Sequence, residues 1–286
     1  ERKRDFWFRI ADEAPIDTAY LGEVICAKRA PFFDRDLGTV AARLSRGGKR
    51  VVWSTLAEVI TKIDRKMATD TGGMGEAEIE ANDASVLTLL KGHRHCIGQH
   101  INVYNEIAVT HLAQNGAHHF SLAPELSAAT IEQLTVAARI FRATVEVQVF
   151  GRTSLALSAR CYHARAHGRT KDNCLFACER DPDGMELQTW SRQPFLTING
   201  IQTLSYRFLE LSSEIPALLG MGVSALRLSP QTLDMVSIAK AYRGLLDNKL
   251  SPEDVAMRLM EVNVPQPTMN GFFHRKPGYQ RIQRAA

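Results

Sequence analysis

The chain has 286 residues, 45% of them hydrophobic and 23% charged, with a formal net charge of +4. That is ordinary for a globular protein with a large core, in one big domain or two small ones. No apolar run reaches the ~18 residues of a membrane helix, and no signal peptide is visible. Five irregularly spaced cysteines do not make a secreted disulfide scaffold. The reading is a cytoplasmic protein, not an integral membrane one, whose mild charge does not by itself imply nucleic-acid binding.

Residues 2–13 read as a helix with Phe6, Trp7 and Ile10 on its buried side. A short strand, Thr18 to Leu21, leads to Gly22, Glu23 and Cys26. A helix at about 35–46 ends at Gly47-Gly48. RVVWS (50–54) is the next strand and 56–68 the next helix. The glycine-rich loop 70–75 lacks the spacing and lysine of a phosphate-binding loop. A strand over 78–81 precedes a helix capped by Asn82 or Asp83 and running to about Lys91. Strand is expected at 96–103, helix at 105–114, strand at 117–122, and a helix capped by Ser127. TVEVQVF (144–150) alternates as a strand should. A short strand at 195–198, a helix over 204–211, a strand at 224–228 and a helix over 232–246 follow. Ser251-Pro252-Glu253-Asp254 opens a last helix.

Leaving 195–198 aside, seven strand-like runs alternate with helices. The sequence opens on a helix, so one further strand is expected before Glu1. The predicted fold is an α/β (β/α)8 TIM-like barrel missing its first strand, with an open doubly wound sheet as the alternative. The prediction is one domain over 1–286, a cysteine-rich insertion at about 151–200, and an irregular tail at about 264–286. Barrel chemistry lies at the C-terminal strand ends. Candidates there are Glu23, Cys26, Glu80, Asn82, His100, Asn102, Glu125, Arg152, Arg227 and Ser229, each of which also suits an ordinary loop or cap.

The segment SARCYHARAHGRTKDNCLFACE (158–179) places Cys161, Cys174 and Cys178 within eighteen residues. Thiolates are soft ligands that select zinc or iron–sulfur clusters, usually in fours. Cys26 lies just past a strand end and is the expected fourth ligand. Cys96 opens an apolar strand, where a lone cysteine acts as a small buried hydrophobe. Structural zinc usually takes two close C-x2-4-C pairs, whereas this chain has one close pair and two singles. Gly151 to Lys171 holds no acid, while Arg152, Arg160, Arg165, Arg169 and Lys171 are basic. These cations suit a negatively charged cluster, an anionic substrate, or plain solvation.

GRTSLALSARCYHARAHGRTKDNCLFACE, FLTINGIQTLS and ALRLSPQ, with the earlier YLGEVICAKR, VVWSTLA and APELS, resemble the UbiV-like ubiquinone-biosynthesis family. That family sits in the superfamily historically labelled collagenase-like peptidases, and the resemblance runs from about Phe6 to Asn270. It implies a [4Fe-4S] cluster held by Cys26, Cys161, Cys174 and Cys178. It also implies a heterodimer with a UbiU-like paralogue, and work with a sterol-carrier-like lipid-binding protein. The implied process is anaerobic, O2-independent hydroxylation of a ubiquinone precursor, with prephenate implied as an oxygen source by related members. Two alternatives stand beside a hydroxylase component. One is a non-catalytic iron–sulfur partner that stabilises a catalytic paralogue. The other is an RNA-base hydroxylase, against which the low charge counts, as does Tyr162 being the only Phe, Tyr or Trp ring in Arg152–Lys171.

Glu23, Glu80, His100, Asn102, Glu125 and Arg227 are the expected substrate contacts. Peptidase activity is not expected, because the sequence holds no H-E-x-x-H or G-x-S-x-G motif and no evident Cys–His pair. His118 and His119, as strand neighbours, should face opposite ways. His163 and His167 would share a ligand face only in a helix, and zinc is not expected there.

Overall fold

The structure, a computed structural model, describes residues 2–283. Its larger sheet contains seven parallel strands: β1 (Thr18–Leu21), β2 (Arg50–Ser54), β3 (Ile79–Ala81), β4 (His95–Ile97), β5 (Ala117–Ser121), β6 (Thr144–Gly151) and, late in the chain, β12 (Ala225–Leu228). β1 to β6 pair in sequence order and β12 joins β6 in parallel. All seven coincide with expected strands, although β4 stops at Ile97 and a single helical turn, Gln99–Ile101, replaces the rest of its expected length. The result is a curled, parallel-rich half-barrel of the TIM type.

Between β6 and β12 the chain builds a second sheet from β7 (Ser154–Leu157), β8 (Met185–Gln188), β9 (Pro194–Asn199) and β10 (Gln202–Ser205), antiparallel in the order β7-β10-β9-β8. Only β9 is among the expected strands. The helix expected over 204–211 is instead the end of β10, a turn, and β11 (Leu209–Glu210), which pairs antiparallel with the end of β6. Leu204, Phe208, Leu209 and Leu211 have helix-like spacing, but here they are buried from strands and a turn.

Several of the helices begin where a side chain satisfies their first amides. The helices are α1 (Arg2–Glu13), α2 (Asp34–Arg46), α3 (Lys62–Gly72), α4 (Ala84–Leu90), α5 (Glu106–Gln114), α6 (Ala128–Ile140), α7 (Tyr162–Ala166), α8 (Ile215–Met221), α9 (Met235–Leu246) and α10 (Pro252–Glu261). Thr61 with Asp64, and Ser251 with Asp254, form reciprocal capping boxes on α3 and α10. The box at Thr61 starts α3 six residues later than the sequence reading places it. Asp83, Asn105 and Ser127 cap α4, α5 and α6.

The main core lies between the sheet's outer face and these helices. Ile97, Phe120, Val145 and Val147 from the strands share it with Val109, Leu112, Ile131 and Leu134 from α5 and α6. Leu134 is wholly buried, so Leu134→Ala is expected to cost about 2–5 kcal/mol in urea unfolding. Residues 264–283 carry no helix or named strand, yet they pack: Met269 bridges to Leu209, and the Asn270 amide donates to Glu214 at 2.9 Å. Residues 284–286 of the expected tail, and Glu1 at the other end of the expected domain, lie outside the described residues. Among the described residues no helix is long and apolar enough to cross a membrane.

Candidate metal centre and barrel interior

Gly22 follows the end of β1, with φ at +134° and a Cβ position that would stand 2.5 Å from the Ser54 carbonyl oxygen. Only glycine suits that turn, which directs the chain into the Cys26 loop. The Glu23 carboxylate there accepts from the Ile25 and Cys26 amides, each at 3.0 Å, and from Arg29 at 3.0 Å. Glu23, expected as a substrate contact, is thus an internal tie of the loop. Arg29 also donates to Asn199 of β9 at 3.0 Å, and Lys28 to the Lys171 and Asp172 carbonyls at 2.8 and 2.9 Å. These bonds fasten the early loop to the cysteine-rich segment more than 140 residues later.

That segment is more regular than expected. Cys161 caps α7, with the Ala164 amide donating to its Sγ at 3.4 Å. Between Cys174 and Cys178, Leu175 and Phe176 adopt left-handed φ values of 43° and 52°. Such a conformation costs a residue with a side chain of order 1–3 kcal/mol, and here it reverses the chain so that both thiols reach one space. Cys26, Cys161, Cys174 and Cys178 line a single pocket of about 400 Å³, its open mouth included. Lys28, Arg29 and Lys171 are the charged residues of its wall, and no carboxylate is among its lining residues. Ile25, Ala164 and Ile201 pack against the thiols as a small apolar shell. Burial pushes the Cys26 and Cys178 thiols up, with Arg29 pulling both back. Four soft donors in one cation-lined pocket fit a negatively charged thiolate–metal group.

Cys96 lies apart from this pocket. It is fully buried, but its neighbours are polar: Sγ sits 3.5 Å from Glu78 Oε1, and His118 Nε2 lies 2.9 Å from the same oxygen. A register shift in β4–β5 pairing beside Cys96 gives His118 this position. Glu78, Cys96 and His118 are near enough to share an ion, but Arg50 already meets Glu78 Oε1 at 3.5 Å. The trio also looks like a thiol–imidazole–carboxylate relay. Cys96 is closed off and its thiol is raised by burial, so it offers no accessible nucleophile.

The inner face of the large sheet is polar. Arg227 of β12 bridges Glu80 at 2.5 Å and Glu146 at 2.6 Å, and its guanidinium lies 3.8 Å from the Tyr20 ring centroid. Tyr20 Oη donates to Glu146 at 3.1 Å, and Ser54 and Asn82 donate to Glu80 at 2.7 and 3.0 Å. His119 Nδ1 meets Thr144 Oγ1 at 2.7 Å, and its Nε2 meets Tyr20 Oη at 3.2 Å. Burial pushes the Glu146 carboxyl up, but Arg227, His119 and Ser121 outweigh it and hold it at about 2. Burial holds His100 down at about 4, so its ring is neutral at pH 7.

His100, Asn102 and Glu125, three of the expected contacts, line a second pocket of about 560 Å³, mouth included, with Gln99, Tyr104 and Ser154. Asn82 serves the buried network. Arg152 departs from expectation: its buried guanidinium donates to the Ser205 and Tyr206 carbonyls and lies 4.8 Å from the Phe208 ring, fastening the two sheets. Ser229 donates its amide to the Phe150 carbonyl at 3.0 Å, again as framework. Sequence reasoning missed Tyr20, His119, Ser121 and Glu146. The signal was there in Glu146, a polar residue alternating with Val145 and Val147 in a strand flanked on both sides.

A second ligand group lies beside the thiol pocket. His163 lies in α7 and His167 closes it, so the two rings share a side, and with Asp181 their ligand atoms fall within 4.8 Å of one another.

Among solved structures the chain is similar to one titled "The Structure of the U32 Peptidase Mk0906". The identity is 15%, the TM-score 0.34, and the match covers 48% of this chain and 61% of that one. The sequence pattern of peptidase family U32 matches residues 7–283, nearly the whole chain, which therefore belongs to peptidase family U32.

Proposed function

We propose that this chain is an iron–sulfur protein of the UbiV-like branch of its family, serving O2-independent hydroxylation of a ubiquinone precursor beside a UbiU-like paralogue. The supporting observation is the convergence of Cys26, Cys161, Cys174 and Cys178 on one pocket whose charged wall residues are all cations. These four cysteines would hold a [4Fe-4S] cluster, which when bound supplies one-electron transfer. Arg29, Lys28 and Lys171 offset the charge of such a group and bias it toward reduction. The bonds from Glu23 to Cys26 and from Arg29 to Asn199 keep the two halves of the ligand set together.

Substrate recognition falls to the second pocket. His100 is held neutral, so it can donate or accept a hydrogen bond without carrying charge. The Glu80–Arg227–Glu146 network beneath it keeps the inner face preorganised. The sterol-carrier-like protein is the proposed source of a polyprenylated ring, and prephenate the proposed oxygen donor. A cytoplasmic location goes with that reading. Hydrolysis does not: the family's name speaks of peptidases, but the sequence carries no hydrolytic motif, and Cys96 is closed off.

A second reading, a non-catalytic partner that stabilises the paralogue, is favoured by the ligand count. Four cysteines leave no iron open for substrate. Co-purification with the paralogue, followed by hydroxylation assays in which His100→Ala replaces the native chain, separates the two. Product formation is expected to fall at least about tenfold, as when a positioned polar contact is lost, while the complex persists. Unchanged product with an intact complex would assign this chain the supporting role, and failure to co-purify would count against both readings.

A further inference from the structure

We propose a mononuclear divalent-cation site of the zinc class at His163, His167 and Asp181, next to the thiol pocket and independent of what that pocket holds. His163 is completely buried, and its Nδ1 lies 3.2 Å from the Ile198 carbonyl oxygen. A carbonyl only accepts, so Nδ1 carries the hydrogen and Nε2 of the neutral ring carries the lone pair. That lone pair faces Asp181 Oδ2 at 2.9 Å. Two acceptors at this distance need a cation between them, either a proton or a metal ion.

His167 decides between the two. Its Nε2 is buried with no hydrogen-bond partner and sits 3.9 Å from the same Asp181 oxygen. A proton on His163 satisfies one nitrogen and leaves the other stranded. A metal ion satisfies both imidazoles and the carboxylate together. His163 lies in α7 and His167 closes it, and the two rings stack at 5.5 Å between centroids, the i, i+4 arrangement from which one helical turn offers two ligands to one ion. A backbone carbonyl orienting the far nitrogen of a ligating histidine is the usual outer support of such sites. Two imidazoles and one carboxylate suit zinc and its first-row neighbours, with a fourth position left for water. The Glu78–Cys96–His118 trio is weaker on the same test, since Arg50 already supplies its cation.

The site would act as a clamp. It joins α7, which Cys161 caps, to Asp181, whose amide donates to the Cys178 carbonyl at 3.3 Å, and it is braced by β9 through Ile198. It therefore holds two of the segments that carry thiols in fixed relation.

Cobalt(II) is the probe, because thiolate ligation shows as an intense sulfur-to-metal charge-transfer band and N/O ligation shows only weak d–d bands. Full-length protein carrying Cys26→Ser, Cys161→Ser, Cys174→Ser and Cys178→Ser, which removes every thiol of the neighbouring pocket, is stripped with chelator and titrated with cobalt, then back-titrated with zinc. The expected result is one equivalent with d–d bands and no charge-transfer band, displaced by zinc. His167→Ala, at a half-buried position, is expected to weaken that binding by more than the roughly 10–100-fold that loss of an outer support costs. Asp181→Asn is the second variant if the first does not fold. Cobalt uptake only with a charge-transfer band, or binding unchanged in folded His167→Ala and Asp181→Asn chains, would overturn the site. Either result leaves the four-cysteine reading standing, since that reading is tested by iron content.

Discussion

Chains carrying Cys26→Ala are expected to lose their iron as completely as chains carrying Cys174→Ala, whereas Cys96→Ala chains keep theirs. Cys26 lies 135 residues before Cys161, yet both line the same pocket. Removing a thiolate from a four-cysteine set opens one iron to water and oxygen, and the remaining ligands hold the core poorly. Cys96 is the control because it is buried against Glu78 and does not line that pocket. Iron and acid-labile sulfide are measured on protein isolated without oxygen, with circular dichroism to show that each variant is folded. Iron retained in Cys26→Ala, or lost in Cys96→Ala, would mean the ligand set has been misassigned.

Arg227→Met is expected to lower stability by about 3–5 kcal/mol at pH 7, because it leaves Glu80 and Glu146 buried without their counter-charge. Glu146 in the native chain sits at about 2, below its ordinary 4.5. Its contribution is therefore complete above pH 4.5 and is lost as the pH falls from there toward 2. In the variant, only His119 and Ser121 oppose the effect of burial on Glu146, so its carboxyl rises from the native value and protonation costs the folded state less. The two stability curves should converge as the pH is lowered. Urea unfolding from pH 7 to pH 3 measures both curves. A difference that is small at pH 7, or constant with pH, would show that the network does not depend on this ion pair. Adding Glu80→Gln and Glu146→Gln to Arg227→Met should restore most of the loss, since the stranded charges are then gone.

The large sheet was legible because its strands are apolar runs bounded by helix caps, and the capping residues at Asp83, Asn105, Ser127 and Ser251 are where their chemistry suggests. The small sheet was not. SLAL, MELQ and QTLS are four-residue strands, too short for an alternation such as Met185-Glu186-Leu187-Gln188 to stand out, and β7 and β8 are partly exposed. The 204–211 segment misled for the opposite reason, since its apolar spacing matched a helix while two strands and a turn buried the same residues.

That Cys161, Cys174 and Cys178 share one space with Cys26 was legible from their spacing, their polar surroundings and the place of Cys26 past a strand end. The His163–His167 face was not, because α7 is only five residues long and one turn leaves no periodic trace. The polar interior was half legible. Glu80 and Arg227 stand at strand ends, where barrel chemistry is sought, but Glu146 and His119 lie within strands, where alternation is easily read as a solvent face.

The most direct test is the metal and sulfide content of the full chain, produced and purified without oxygen. A brown protein with about four irons and four sulfides per chain is the expected result. A colourless protein whose four thiols hold a single zinc ion, with no labile sulfide, would contradict it.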